Sequence, residues 1–160
     1  MRRALHFVFK VADRKATIDF YRNVLGMKIL RHEEFEKGCE AACNGPYDGK
    51  WSKTMVGYGA EDDHFVVELT YNYGIKSYKL GNDFLNIGIT SNSVIDNAKK
   101  VGYEAEEMSD GKTLLEAPGG YQFVVCAGSK DGDPVCTCSL AVSDLQKSIE
   151  ILVDRPFFNV

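Results

Sequence analysis

At 160 residues, 44% hydrophobic and 26% charged, the chain is long enough to close a full core as one domain of ordinary size, and its composition excludes a disordered or fibrous protein. A formal charge of -4 gives no overall attraction to nucleic acid or anionic lipid, so neither is expected as a partner. No apolar run approaches the roughly 18 residues of a membrane span, no secretory pattern opens the chain, and five cysteines at irregular spacing suit reduced thiols. An intracellular, cytoplasmic location is expected, with the mitochondrion as second choice.

Leu5 to Val11 alternates with period two, placing Leu5, Phe7, Phe9 and Val11 on one face and His6, Val8 and Lys10 on the other. Asp13 then caps a helix whose Thr17, Phe20, Tyr21 and Val24 follow helical spacing, and Gly26 supplies its left-handed stop. Strands are predicted over Met27 to Phe35, Lys53 to Tyr58 and Phe65 to Tyr71, separated by turns rich in Gly, Asn, Pro and Asp. The unit is βαβββ.

The same order returns. Phe84 to Thr90 reads as strand, Ser91 to Val101 as helix ending at Gly102, and Tyr103 to Met108, Thr113 to Glu116 and Tyr121 to Cys126 as three short strands. A third start follows, because Val11-Ala12-Asp13 is echoed by Val142-Ser143-Asp144, but it stops after a strand and part of a helix. The expected domains are therefore residues 1–128, a linker at 129–133, and a truncated start of a second domain at 134–160. A shortened isoform, a fragment or an incomplete gene model would each give this pattern.

Alternation in the fourth strand puts Phe65, Val67, Leu69 and Tyr71 under the helix and leaves His64, Val66, Glu68, Thr70 and Asn72 on the opposite face. His6, Lys10, Glu68 and Asn72 can then share one concave surface, where an imidazole and a carboxylate from neighbouring strands suit a divalent metal. His64 lies about 13 Å from Glu68 along a strand and cannot chelate the same ion; it reads as a surface or turn histidine. His32, among Arg31, Glu33 and Glu34, reads as a solvated strand residue. Cys136-Thr137-Cys138 places both thiols on one strand face and Cys39 with Cys43 has helical spacing, yet without further ligands these read as free thiols. Trp51, with Tyr47 and Tyr58, could roof a ligand cavity or simply pack a long loop.

The segment His6-Phe7-Val8-Phe9-Lys10-Val11-Ala12-Asp13, followed by Asp19-Phe20-Tyr21 and Val24-Leu25-Gly26-Met27-Lys28, resembles the opening of glyoxalase I and the wider vicinal oxygen chelate superfamily. Glu68-Leu69-Thr70-Tyr71-Asn72, with Leu80-Gly81 beyond it, is similar to the glyoxalase I segment bearing its second metal ligand. The resemblance implies an α/β (α+β) fold in which paired βαβββ modules form a cupped mixed sheet with helices outside. It also implies a divalent metal, zinc or nickel, held by His6 and Glu68, and a glutathione adduct contacted by Lys10 and Asn72. Lys10 stands where the family usually has an arginine, which keeps the charge but loses the bidentate fork. The site would be built between paired domains, so a homodimer or a second domain is an expected partner.

Two positions depart from the pattern. The second module of glyoxalase I supplies a histidine and a glutamate where this chain has Asn86, in Phe84-Leu85-Asn86-Ile87, and Val124, after Pro118-Gly119-Gly120-Tyr121. Asparagine is a feeble ligand for a borderline metal, and valine can neither ligate nor accept the proton that the family's reaction moves. The expectation is a glyoxalase-I-like domain with an incomplete metal site and weak or absent lactoylglutathione lyase activity, binding a small ligand or partner in the cup. Glu68 is the catalytic candidate if the chain is active on the methylglyoxal–glutathione hemithioacetal. Ring-cleaving dioxygenase chemistry ranks last, since Asn86 removes the second histidine it requires.

Overall fold

A computed structural model of the chain describes residues 4–38 and 45–151. The first module runs β1 (His6–Val11), α1 (Arg14–Asp19) with a π-helical turn at Phe20–Val24, β2 (Lys28–Phe35), β3 (Trp51–Gly57) and β4 (Val66–Asn72). The second runs β5 (Phe84–Thr90), α2 (Asn92–Val101), β6 (Glu106–Glu107), β7 (Thr113–Glu116) and β8 (Gln122–Cys126). This is the expected α+β architecture. Its strands form two mixed sheets with the same internal order, β1-β4-β3-β2 and β5-β8-β7-β6, in which the first strand of each module lies parallel to its last.

Local chemistry sets the helix ends. The Asp13 carboxylate accepts from the Ala16 N–H at 2.9 Å, and Ser91 caps α2 through Val94. Gly102 closes α2 at φ 66°, a left-handed conformation that glycine adopts without a Cβ penalty. The first helix departs from simple expectation. It widens before Gly26, the Leu25 N–H reaching back five residues to the Phe20 carbonyl at 3.1 Å, and this turn aims Phe20, Tyr21 and Val24 together into the core.

The core is continuous across the modules. Phe123 of β8 is fully buried against Phe20 and Tyr21 at centroid distances of 5.6 and 5.7 Å, while Phe9 of β1 stacks on Tyr121 at 4.0 Å. The Asn97 amide donates to the Val24 carbonyl at 3.3 Å, fastening α2 to the π turn. Because the apolar faces of both sheets look into this core, the opposite faces, carrying His6 and Glu68 in one and Asn86 and Val124 in the other, are left for chemistry.

Two strands depart from the sequence reading by more than one residue at an end, for identifiable reasons. β3 begins at Trp51 rather than Lys53, because Trp51 and Ser52 find partners in Asn72 and Tyr71. The strand predicted over Tyr103 to Met108 contracts to Glu106–Glu107, which pair only with Leu114 and Thr113. Residues 134–151 contribute β9 (Val135–Leu140), antiparallel to β5 on the free edge of the second sheet, and α3 (Leu145–Ile149). Cys136 falls at a register shift, so Cys138 lies opposite Ile87 and is half-buried whereas Cys136 is exposed, with the Thr90 hydroxyl donating to its Sγ at 3.7 Å. The two thiols therefore do not share a face as strict alternation predicted; the irregularity breaks the period. Cys39 and Cys43 lie outside the described residues.

Asp133 is the pin of this docking. Its carboxylate accepts from the Phe65 N–H at 2.6 Å and the Val135 N–H at 3.0 Å, tying the start of β9 to the start of β4. Asp133→Ala is expected to lower stability by about 1–3 kcal/mol, the cost of leaving partly buried donors unmet. It should also expose residues 129–133 to limited proteolysis, read by denaturant unfolding and by fragment masses; unchanged cleavage would show that β9 is held by its ladder alone.

Candidate functional site

The parallel register places the four predicted positions in matching pairs. In the first sheet His6 is in register with Val66 and Val8 with Glu68, so the histidine and the carboxylate are offset by two residues on neighbouring strands. In the second sheet Asn86 is in register with Gln122 and Gly88 with Val124, the same offset. Asn86 and Val124 thus hold, in the second module, the positions of His6 and Glu68 in the first. Within one sheet each pair shares a face, because partners in register point the same way and residues two apart return to it.

The His6 imidazole is engaged locally. Its Nδ1 lies 2.5 Å from Oε1 of Glu61, in the turn before β4. Among the described residues no hydrogen bond joins His6 to Glu68 directly; the register sets Glu68 beside Val8 and His6 beside Val66. Glu68 itself is half-buried on the same face. His64 sits in the turn, its ring packed against Gly59, and His32 is an exposed residue of β2 whose Nδ1 meets the Thr54 hydroxyl at 2.7 Å.

A divalent metal is the group that the family resemblance implies, and the donor set can be tested against it. Val124 offers no donor atom and Asn86 only an amide oxygen. Among the described residues no group of three or more His, Cys, Asp or Glu side chains is placed to hold an ion. The second-module pair does not fit such a site.

A cavity of about 950 Å³ opens along the seam between β1 and the start of β5. Lys10, Tyr47, Tyr78, Phe84, Leu85 and Tyr121 contribute to its walls, a lining that mixes apolar side chains with cationic and phenolic groups. Of the predicted site residues only Lys10 lines it; its ammonium stands 5.0 Å over the Tyr47 ring. Asn72 is 3% exposed and acts through a neighbour, donating from Nδ2 to the Tyr78 hydroxyl at 2.8 Å. Burial raises the Tyr78 phenol above the ordinary range, opposed by the hydrogen bonds from Asn72, and burial likewise raises Tyr121. Both phenols stay protonated near neutrality; Tyr121 gives its proton to the Lys10 carbonyl at 3.2 Å, whereas Tyr78 accepts from Asn72 and keeps its own O–H to donate to a ligand oxygen.

Of the aromatic trio, Tyr47 faces this cavity, whereas Trp51 stacks on Phe35 at 4.4 Å and donates to the Lys37 carbonyl, and Tyr58 donates to the Leu25 carbonyl. Trp51 and Tyr58 are packing. The contribution of Tyr78 and Tyr121 was missed from sequence; the Pro-Gly-Gly-Tyr turn at 118–121 was the signal for the second, and nothing in the order of residues marked the first.

The chain belongs to the Glyoxalase/Bleomycin resistance protein/Dioxygenase superfamily, whose model matches residues 3–125. Among its relatives it is 62% identical over 149 residues to glyoxalase domain-containing protein 4 of Mus musculus, covering 92% of this chain and 50% of the mouse protein. It is 53% identical over 147 residues to glyoxalase 1 of Caenorhabditis elegans, covering 91% and 51%. The crystal structure of glyoxalase I from Zea mays superposes with a TM-score of 0.73 at 29% identity, covering 92% of this chain and 52% of that one. The chain thus spans about half the length of the curated relatives it matches. No helix among the described residues is long and apolar enough to cross a membrane.

Tyr78→Phe removes an acceptor of the buried Asn72 amide and one phenol of the cavity lining. It is expected to cost about 1 kcal/mol in denaturant unfolding. A neutral substitution would mean that Asn72 is held by other contacts and that Tyr78 is not its relay to the cavity.

Proposed function

We propose that this chain is a glyoxalase-I-like domain with an incomplete metal site, weak or absent lactoylglutathione lyase activity of its own, and a small-ligand site in the cavity at the β1–β5 seam. The observation that carries this reading is Val124, an apolar side chain at the second-module position equivalent to Glu68. A proton cannot be moved by a group that has no basic atom, and general acid–base assistance is worth roughly 10²–10⁴-fold. Lys10, with Asn72 acting through Tyr78, is the ligand-binding set, and a glutathione adduct is the small molecule that the family relationship suggests for it. Residues 134–160 form, on the same reading, the opening of a second glyoxalase-like domain, and domain pairing or a homodimer would bring a second module to the open His6–Glu68 face.

A second reading is favoured by the intact first-module pair. Here His6 and Glu68 would hold zinc or nickel together with ligands from a paired domain, the metal would supply Lewis-acid stabilisation, and Glu68 would serve as the proton-moving base on the methylglyoxal–glutathione hemithioacetal. The two separate on a turnover assay of the 160-residue chain with methylglyoxal, glutathione and added zinc or nickel. The proposal expects a rate at or near the background of the uncatalysed mixture, unchanged by Glu68→Gln. Metal-dependent turnover well above background, abolished by Glu68→Gln, would establish the lyase and overturn it.

A further inference from the structure

Next to the seam cavity lies a second pocket of about 590 Å³, bounded by the C-terminal ends of β1 and β4, the start of α1 and the turns at 76–78 and 118–119. Its walls carry four cationic side chains, Lys10, Arg14, Lys15 and Lys76, against a single carboxylate, Asp13. That carboxylate is already occupied, accepting the Ala16 N–H as the helix cap. In a chain whose formal net charge is -4, this is a local concentration of positive charge and not a reflection of overall basicity.

The cations are not equivalent. The Arg14 guanidinium is committed, donating to Glu34 at 2.7 Å, to the Tyr73 hydroxyl at 3.1 Å and to Ser52 at 3.3 Å, and it stands 5.1 Å over the Tyr71 ring. All three bonds leave from Nη1 and the charge is shared with Glu34, so Arg14 gives the pocket a fixed wall and is not one of its mobile charges. Lys15 is shared with Asp19, outside the pocket, while Lys76 is exposed and forms no ion pair among the described residues. What remains for a ligand is a set of flexible ammonium groups with three rotatable donors each, together with the Ser77 hydroxyl. Such point charges suit a compact tetrahedral dianion better than a flat monoanion.

We propose that this pocket binds a phosphate group carried by a small phosphorylated molecule, with Lys76 and Lys15 as its mobile counter-charges and Arg14 as its rigid wall. The pocket shares Lys10 and Tyr78 with the seam cavity, so a phosphate held here leaves the rest of its molecule facing that larger space. The inference stands on the charge and geometry of this pocket and does not require the glutathione reading of the neighbouring cavity.

The test is calorimetric titration of the full 160-residue chain at low ionic strength with pyrophosphate, and with citrate as a polycarboxylate of comparable charge. Expected are saturable pyrophosphate binding that weakens with added salt, a roughly tenfold loss of affinity in Lys76→Gln, the size of one charge-assisted hydrogen bond, and a further loss in the Lys15→Gln/Lys76→Gln pair. Lys100→Gln, on the exposed surface of α2, is expected to change nothing. Both pocket lysines are at the surface, and an unchanged thermal midpoint of each variant shows that it is folded. Citrate binding as tightly with the same lysine dependence would overturn the phosphate assignment; absence of saturation, or equal affinity in wild type and the double variant, would overturn the site. Binding of S-methylglutathione, measured in parallel and expected to weaken in Tyr47→Ala but not in Lys76→Gln, reports on the seam cavity, so a failure of either proposal is distinguishable from a failure of the other.

Discussion

The parallel pairing of the first and last strand in each module is the constraint on which the rest of the molecule depends. Parallel strands cannot be joined by a tight turn, so each module must carry a crossover, here a helix and two further strands, before β4 or β8 can return beside β1 or β5. The crossover helices cover one face of each sheet, and Phe20, Tyr21, Val94, Ala98 and Phe123 fuse the two covered faces into one core. The uncovered faces inherit whatever residues alternate with that core. His6 with Glu68 and Asn86 with Val124 are the consequence, two equivalent pairs in fixed register of which the second lacks strong donor chemistry.

This arrangement separates fold from reaction. The family relationship and the superposition on the Zea mays enzyme follow from core and register, to which Asn86 and Val124 contribute little, since both lie on faces turned away from the core. A valine is comfortable on a strand, and its presence costs the fold nothing while removing an acid–base group from the open face. The cavity and the basic pocket beside it depend on other parts of the chain, the ends of β1 and β4 and the connection through residues 76–85. The cavities therefore do not depend on the donor chemistry of Asn86 and Val124.

Much of this was legible in the sequence because it rests on period and punctuation. Phe7, Phe9 and Val11 against His6, Val8 and Lys10 gave the first strand its two faces, Asp13 and Gly26 bracketed the first helical stretch, and Gly102 ended the second helix with the left-handed turn expected of it. What period cannot give is anything that breaks it. The shift at Cys136 put Cys136 and Cys138 in different environments, and the π turn at Phe20–Val24 interrupted the helical period, although Thr17, Phe20, Tyr21 and Val24 are buried as that period predicted. Contacts between distant segments were equally hidden. No spacing rule brings Glu61 to His6, Asp133 to the Phe65 amide or Tyr78 to Asn72, because each joins a turn or loop to a strand end that only the folded chain sets nearby.

The central proposal is that His6 and Glu68 alone, without a second pair from Asn86 and Val124, do not make a tight metal site. It is tested most directly by equilibrium dialysis of chelator-free protein against micromolar zinc or nickel, with metal read by mass spectrometry in wild type, His6→Ala and Glu68→Gln. Two donors from one module are too few for a tight ion, so the account predicts well under one ion retained per chain, with little difference among the three proteins. One tightly held ion per chain, lost in both variants, would contradict it and show that the site is completed by donors other than Asn86 and Val124.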